Sequence, residues 1–347
     1  MKKIRSVASV AFLLSCLAYS QAKIGLSFSD YATPRWPREM EAMVGILKEA
    51  GFDPIISEAN HDKRIQADYI RWMAKQGAAV IIVVAEDGKY LAPVVDEITA
   101  KGTKVIAFDR LIPSPKISTY LSFDNFEIGR LQAGGIIEAL KPDTKGRIVL
   151  LGGNPTDVNA HIFRAGQIDV LQPLINNGKL SIVADRWVDD WDPLGAKKIM
   201  KEIIASTNGE FDAIVASNDG LALGAIEAIR DCDVLGTAPI SGQDATEAGC
   251  NSIARGELTL TILKDHRLMA PEACALAIRL AKGEKDLGLP KIALGEYYHD
   301  GDIHGKYACD FINLHRITKA NLKSLVVDSG YQSYEGVYKD VENPPPR

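Results

Sequence analysis

Arg, Asp, Asn and Lys side chains stand at the ends of five apolar, strand-like runs. These types bind hydroxyl-rich molecules well, because a guanidinium, carboxylate or amide engages two hydroxyls in one planar fork. The runs are Val105–Phe108 leading to Asp109-Arg110, Ile148–Leu151 leading to Gly152-Gly153-Asn154-Pro155, Ala213–Ala216 leading to Ser217-Asn218-Asp219, Ile240–Gln243 leading to Asp244, and Leu258–Leu263 leading to Lys264. Arg164 follows the second run on a helical stretch. Tryptophan adds the complement for the C–H face of a sugar ring, and Arg35-Trp36, Trp187 and Trp191 all follow strand-like segments. In parallel α/β sheets ligands sit beyond the carboxyl ends of the strands, so these tips are candidates for one pocket built from many loops.

Each candidate also has a structural role open to it. Asp109-Arg110 can pair within a turn, Asn218 and Asp244 can cap helices, Arg164 can be a solvated helix residue, and the tryptophans can pack. Convergence at one sheet edge is what favours the sugar.

The elements that must position these tips alternate between short β-rich runs and amphipathic stretches, the pattern of βαβ units and parallel sheet. Strands are predicted near 23–28, 53–57, 79–84, 103–108 and 117–123, with helices near 36–50, 62–76 and 88–101. Gly51, Gly77 and Gly102 follow those helices, where a left-handed cap is wanted. A second series has strands near 147–151, 180–185, 212–216 and 237–241, with helices near 125–140, 158–177, 192–206, 219–231 and 245–255. The fold class is therefore α/β, two doubly wound parallel-sheet lobes joined by a hinge. Residues 23–123 plus about 265–300 are expected in the N-terminal lobe, and 124–264 plus about 301–340 in the C-terminal lobe.

With 347 residues, 46% of them hydrophobic, the chain is long enough for two cores. A net charge of −5, from 45 acidic and 40 basic side chains, disfavours nucleic acid and anionic membranes as partners. Lys2, Lys3 and Arg5 precede an apolar run from Val7 to Leu17 that suits a secretory leader, so residues 1–22 are expected to be a signal peptide. Leu13-Leu14-Ser15-Cys16 resembles a lipobox, which makes Cys16 a possible lipidation site, and Ser20-Gln21-Ala22 suits ordinary cleavage. The chain is thus expected in the periplasm, either soluble or tethered as a lipoprotein. Cys232, Cys250, Cys274 and Cys309 lack C-x-x-C spacing and read as buried small hydrophobes with room for one disulfide.

Several of these segments carry a resemblance. Arg35-Trp36, Ala107-Phe108-Asp109-Arg110, Ser122-Phe123-Asp124-Asn125, Phe163-Arg164-Ala165-Gly166-Gln167, Trp187-Val188-Asp189-Asp190-Trp191, Val215-Ala216-Ser217-Asn218-Asp219, Ile240–Ala245 and Lys264 are similar, in order, to segments of the D-xylose-binding periplasmic proteins. Those are sugar-binding components of ABC transporters with the ribose-binding-protein fold (periplasmic binding protein, type I). The resemblance implies that Arg35, Asp109, Arg110, Asn159, Arg164, Asn218, Asp244 and Lys264 bind sugar hydroxyls and that Trp36 and Trp191 sandwich the ring, with Trp187 as packing. It implies a monosaccharide ligand, D-xylose first, with another aldopentose such as arabinose or an aldohexose such as glucose or galactose as alternatives. It further implies an ABC permease as partner, possible recognition by a chemoreceptor, a monomer, and no cofactor. The match weakens after Gly283, and Tyr297–His304 departs from the pattern.

The expected mechanism is a two-lobe clamp closing on the sugar, with Arg35, Asp109 and Arg110 on one face and Asn159, Arg164, Trp191, Asn218 and Asp244 on the other. Lys264 sits at a crossing. A transcriptional regulator would need a helix-turn-helix where the leader stands. An enzyme is disfavoured because Arg and Lys beside Asp109 and Asp244 hold both carboxylates ionised, which leaves no general acid. His299, Asp300, Asp302 and His304 read as solvated loop rather than a metal site, and Gly152-Gly153 lacks the G-x-G-x-x-G spacing of a nucleotide loop.

Overall fold

The computed structural model describes residues 21–32, 35–140, 145–234 and 238–347. Residues 1–20 of the expected leader, including Cys16, lie outside the described residues. The first series runs β1 (Lys23–Phe28), α1 (Arg35–Glu49), β2 (Asp53–Glu58), α2 (Lys63–Lys75), β3 (Ala78–Val83), α3 (Gly88–Thr99), β4 (Lys104–Phe108) and β5 (Thr119–Phe123). The second runs α4 (Asn125–Ala139), β6 (Gly146–Gly152), α5 (Val158–Asn176), β7 (Leu180–Trp187), α6 (Pro193–Thr207), β8 (Ala213–Ala216), α7 (Asp219–Asp231), α8 (Glu247–Arg255) and β9 (Leu260–Lys264). The chain closes with α9 (His266–Ala281), β10 (Lys291–Ile292), α10 (Leu294–Tyr297), β11 (Tyr307–Ile312), β12 (Leu314–Thr318) and α11 (Tyr334–Val337).

The first sheet has the order β10-β11-β5-β4-β3-β1-β2, parallel except for β10. Helices cover both faces, so its central strands are apolar throughout rather than alternating. Val80 and Ile82 pack with Met43 and Leu47 of α1 and Met269 and Leu276 of α9 on one face. Ile81 and Val83 pack with Ile70 of α2 and Leu91 and Val95 of α3 on the other. The edge strand β2 holds Pro54, whose missing N–H is tolerated there.

The second sheet has β7-β6-β8 in parallel, and bridges at Ile214–Ile240 and Ser241–Leu260 continue it to the antiparallel pair β9-β12. The strand predicted near 237–241 is reduced to those two bridges. The side-chain caps are mostly Asp and Asn: Asp62, Asp87, Asp124, Asp157, Asp192, Asn218 and Asp265 each accept a backbone N–H from the first turn of a helix. Gly51, Gly77 and Gly102 have φ of 84°, 84° and 102°, the left-handed caps expected of them.

The chain passes between the sheets three times, after β5, after β9 and between β11 and β12. The sequence reading gives residues from about 301 onward to the C-terminal lobe. The structure differs, because Cys309–Ile312 pair in parallel with Tyr120–Phe123 and so extend the first sheet. The third crossing therefore falls at 312–314. The cysteines differ in part too: Cys250, Cys274 and Cys309 are buried free thiols, while Cys232 is an exposed free thiol. Among the described residues no helix is long and apolar enough to cross a membrane.

Candidate functional site

Asp109 lies at the centre of the cleft. It follows β4 with φ of 61°, in the left-handed region. Its Oδ2 lies 2.7 Å from Arg35 Nη2 and 3.2 Å from Lys264 Nζ. From across the cleft, Asn159 Nδ2 donates to the Asp109 carbonyl at 2.8 Å and to its Oδ1 at 3.3 Å. Burial alone would raise the Asp109 carboxyl, but the Arg35, Lys264 and Arg110 charges overcome it and hold it well below the usual carboxylate range. It is a permanent acceptor among fixed donors.

Arg35 opens α1. Its guanidinium stacks 4.2 Å over the Trp36 ring and stands 4.0 Å from Asp244 Oδ1, which belongs to the opposite lobe. Asp244 is also 3.9 Å from Lys264 and sits in a left-handed turn of φ 93°. That turn is anchored from below by Asp219, which accepts from Thr261 Oγ1 at 2.7 Å, Thr246 N at 2.8 Å and Thr246 Oγ1 at 3.0 Å. Burial pushes Asp219 up to about 7, with its hydroxyl and amide donors opposing and Asp244 adding to the rise.

Arg110 spans the cleft in the same way. Its Nε is 3.1 Å from Asp157, the N-cap of α5, while Nη1 donates to Ala85 O at 3.1 Å. Trp191 Nε1 donates to the same Asp157 at 3.3 Å, and the Trp191 ring lies against Gly153, where any Cβ would collide with it. Trp187 covers Gly152 in the same manner, which explains the Gly152-Gly153 pair as room for two indoles.

Arg35, Trp36, Asp109, Arg110, Asn159, Asp244 and Lys264 are thus brought together, with Trp191 joined to them through Asp157. Arg164 ion-pairs with Asp185 on β7, donates to Gln167 at 3.0 Å and lies 4.9 Å from the Trp187 ring. Its buried Nη2 has no protein partner. Asn218 caps α7, its Oδ1 accepting from Leu221 N at 2.9 Å. Trp36 is 2% exposed and packs on Phe28.

Three participants escaped the sequence reading. Glu39 lies one turn beyond Arg35, 3.2 Å from its Nε, and the i,i+4 spacing in a helix was the available signal. Asp157 stands at the N-cap of α5, and an Asp just before a helical run was the available signal. The Tyr331 hydroxyl lies 3.1 Å from the Asp244 carbonyl and 3.3 Å from the Lys264 carbonyl, a link between the C-terminal segment and the cleft that no local pattern signals.

Two mainly parallel α/β sheets whose polar strand ends meet, joined by three crossings, define the two-lobe architecture of a solute-binding protein. The model of the periplasmic binding protein domain matches residues 24–285, and the chain belongs to that family. It is 37% identical over 287 residues to the D-xylose-binding periplasmic protein of Escherichia coli K12, covering 82% of this chain and 86% of that one. Identity to the D-xylose-binding periplasmic protein of Haemophilus influenzae is 35%, over 91% of this chain and 92% of the other. A multiple sugar-binding periplasmic receptor of Rhizobium radiobacter is 30% identical over 95% and 98% of the two chains. Among solved structures, an ABC transporter solute-binding protein of Clostridium phytofermentans with bound β-D-glucose superposes with a TM-score of 0.82 at 27% identity, covering 91% of this chain and 99% of that one. By family and relatives the protein is a sugar-binding protein of transport.

Proposed function

We propose that this protein is exported, captures a monosaccharide between its lobes, with D-xylose the foremost candidate, and delivers it to an ABC permease. The observation that carries the reading is Asp109, a buried ionised acceptor flanked by Arg35 and Lys264 and met by Asn159 from the opposite lobe. Such a set answers the alternating donors and acceptors of a sugar ring, and the relatives named for D-xylose favour a pentose over a hexose. The proposed site comprises Arg35, Trp36, Asp109, Arg110, Asn159, Arg164, Trp191, Asn218, Asp244 and Lys264, with Asp157 and Glu39 positioning the arginines. Asn218 would serve through its Nδ2 while its Oδ1 caps α7. Each charged group left unpaired by a missing hydroxyl would cost roughly 1–3 kcal/mol, which is how the site discriminates among sugars. Binding rather than turnover is the role proposed, with the protein acting as a monomer.

Calorimetric titration of the processed protein with xylose, ribose, arabinose, glucose and galactose tests this. One-to-one binding with xylose tightest is expected. Tighter binding of a hexose overturns the choice of ligand, and silence toward every sugar overturns the function.

A further inference from the structure

Beside the sugar cleft, three adjacent strands of the first sheet each end in a metal-ligating residue. Asp30 follows β1, His61 follows β2 and Glu86 follows β3, in the order β3-β1-β2. We propose that Asp30, His61 and Glu86 form a binding site for a transition-metal dication of the Zn²⁺ type, bordering the sugar cleft at Arg110.

One donor atom from each residue lies within 4.8 Å of the other two. Donors around a four-coordinate Zn²⁺, at bonds of about 2.1 Å, stand roughly 3.4 Å apart, so a contraction of at most about 1.4 Å completes the geometry. The His61 Nδ1 to Glu86 Oε2 separation is already 3.4 Å. An imidazole with two carboxylates suits Zn²⁺ or Mn²⁺, whereas Ca²⁺ and Mg²⁺ prefer oxygen alone. The arrangement is more than a group of acids. Glu86 is 5% exposed, yet its buried Oε2 has no hydrogen-bond partner, and neither has the buried His61 Nδ1 that faces it.

The nearest guanidinium is Arg110, 3.7 Å from Glu86 and 3.1 Å from Asp157. Ser29 Oγ donates to Asp30 Oδ2 at 2.7 Å, the outer hydrogen bond that orients a ligating carboxylate, and Ser29 O accepts from His61 N at 3.0 Å, which fastens the β2 loop to β1. The His61 side chain, 28% exposed, leaves an entry path and a position for water.

The test is calorimetric titration of tag-free, chelator-treated protein with ZnCl₂, alongside His61→Ala and Asp30→Asn, each checked for a cooperative thermal transition. The expected result is one saturable Zn²⁺ site per chain that weakens at least tenfold in both variants. Two results overturn the proposal: no saturable Zn²⁺ binding by the parent protein, or equal affinity in parent and variants, which would place the ion at other histidines. The assay contains no sugar, so failure of the sugar reading leaves it unaffected.

Discussion

Glutamine at position 39 separates two descriptions of the group beneath Arg35. Glu39 is 1% exposed, and neither carboxylate oxygen has a hydrogen-bond partner. Burial pushes it up to about 8 from an ordinary 4.5, the Arg35 charge 3.2 Å away opposing without reversing the effect. A carboxyl raised on folding is protonated in the native state where the unfolded chain has released its proton. Its effect is harmless below about 4.5 and destabilises progressively as pH rises toward 8, by about 1.4 kcal/mol per pH unit. From pH 6 to pH 8 the native protein therefore loses on the order of 2 kcal/mol through this one group. With an unfolding entropy near 2.1 cal/mol/K per residue, that is roughly 3 °C in Tm for a chain of this length. Glu39→Gln keeps the shape of the neutral acid and removes the titration. Melting curves of parent and variant, recorded from pH 5 to 8.5 without sugar, are expected to converge toward pH 5, to differ by roughly 3 °C at pH 6 and to separate by roughly 6 °C at pH 8, with the variant higher. Taking the difference removes Asp219, which titrates in the same direction in both proteins. Parallel curves would refute the reasoning. They would mean that Glu39 is ionised against Arg35, in which case Glu39→Gln removes one carboxylate partner of the guanidinium, which keeps Asp109, and lowers stability throughout.

Asp109→Asn removes the acceptor shared by Arg35 and Lys264, and sugar affinity is expected to fall roughly 10- to 150-fold, the worth of a charged hydrogen bond of about 1.5–3 kcal/mol; unchanged calorimetric affinity contradicts its placement at the centre of the site. Because the surrounding cations hold Asp109 low, its contribution is present above the ordinary carboxylate range and disappears only below it, so affinity should stay level from pH 5 to 7, and a decline centred near pH 5 contradicts the assignment. Gly153→Ala drives a methyl into the Trp191 ring and is expected to change tryptophan emission and weaken sugar binding at least tenfold. With a thiol reagent under native conditions, Cys232 should react promptly and Cys250, Cys274 and Cys309 only on unfolding, as mass mapping of the labelled peptides will show.

The alternation of apolar runs with amphipathic stretches was enough to place the βα units and the polar ends of β4, β8 and β9, because strand alternation and helix capping are local properties written in adjacent residues. Asp109 and Lys264 were legible for the same reason, each standing where a buried run stops. Tertiary structure decided what those tips meet. Asn218 is spent in part on capping α7, and Arg164 is paired with Asp185, contacts in which helix termini and a neighbouring strand compete with the cleft. The role of Glu39 depended on how deeply α1 is covered by α9, a contact between residues more than two hundred positions apart. The place of β11 depended on the open edge of β5, and the closeness of Asp30, His61 and Glu86 on the order β3-β1-β2, which brings three loops distant in sequence to one sheet edge. Sequence periodicity specifies which residues stand at strand ends. Which strand ends become neighbours is set by long-range pairing and burial, and only the folded chain contains that information.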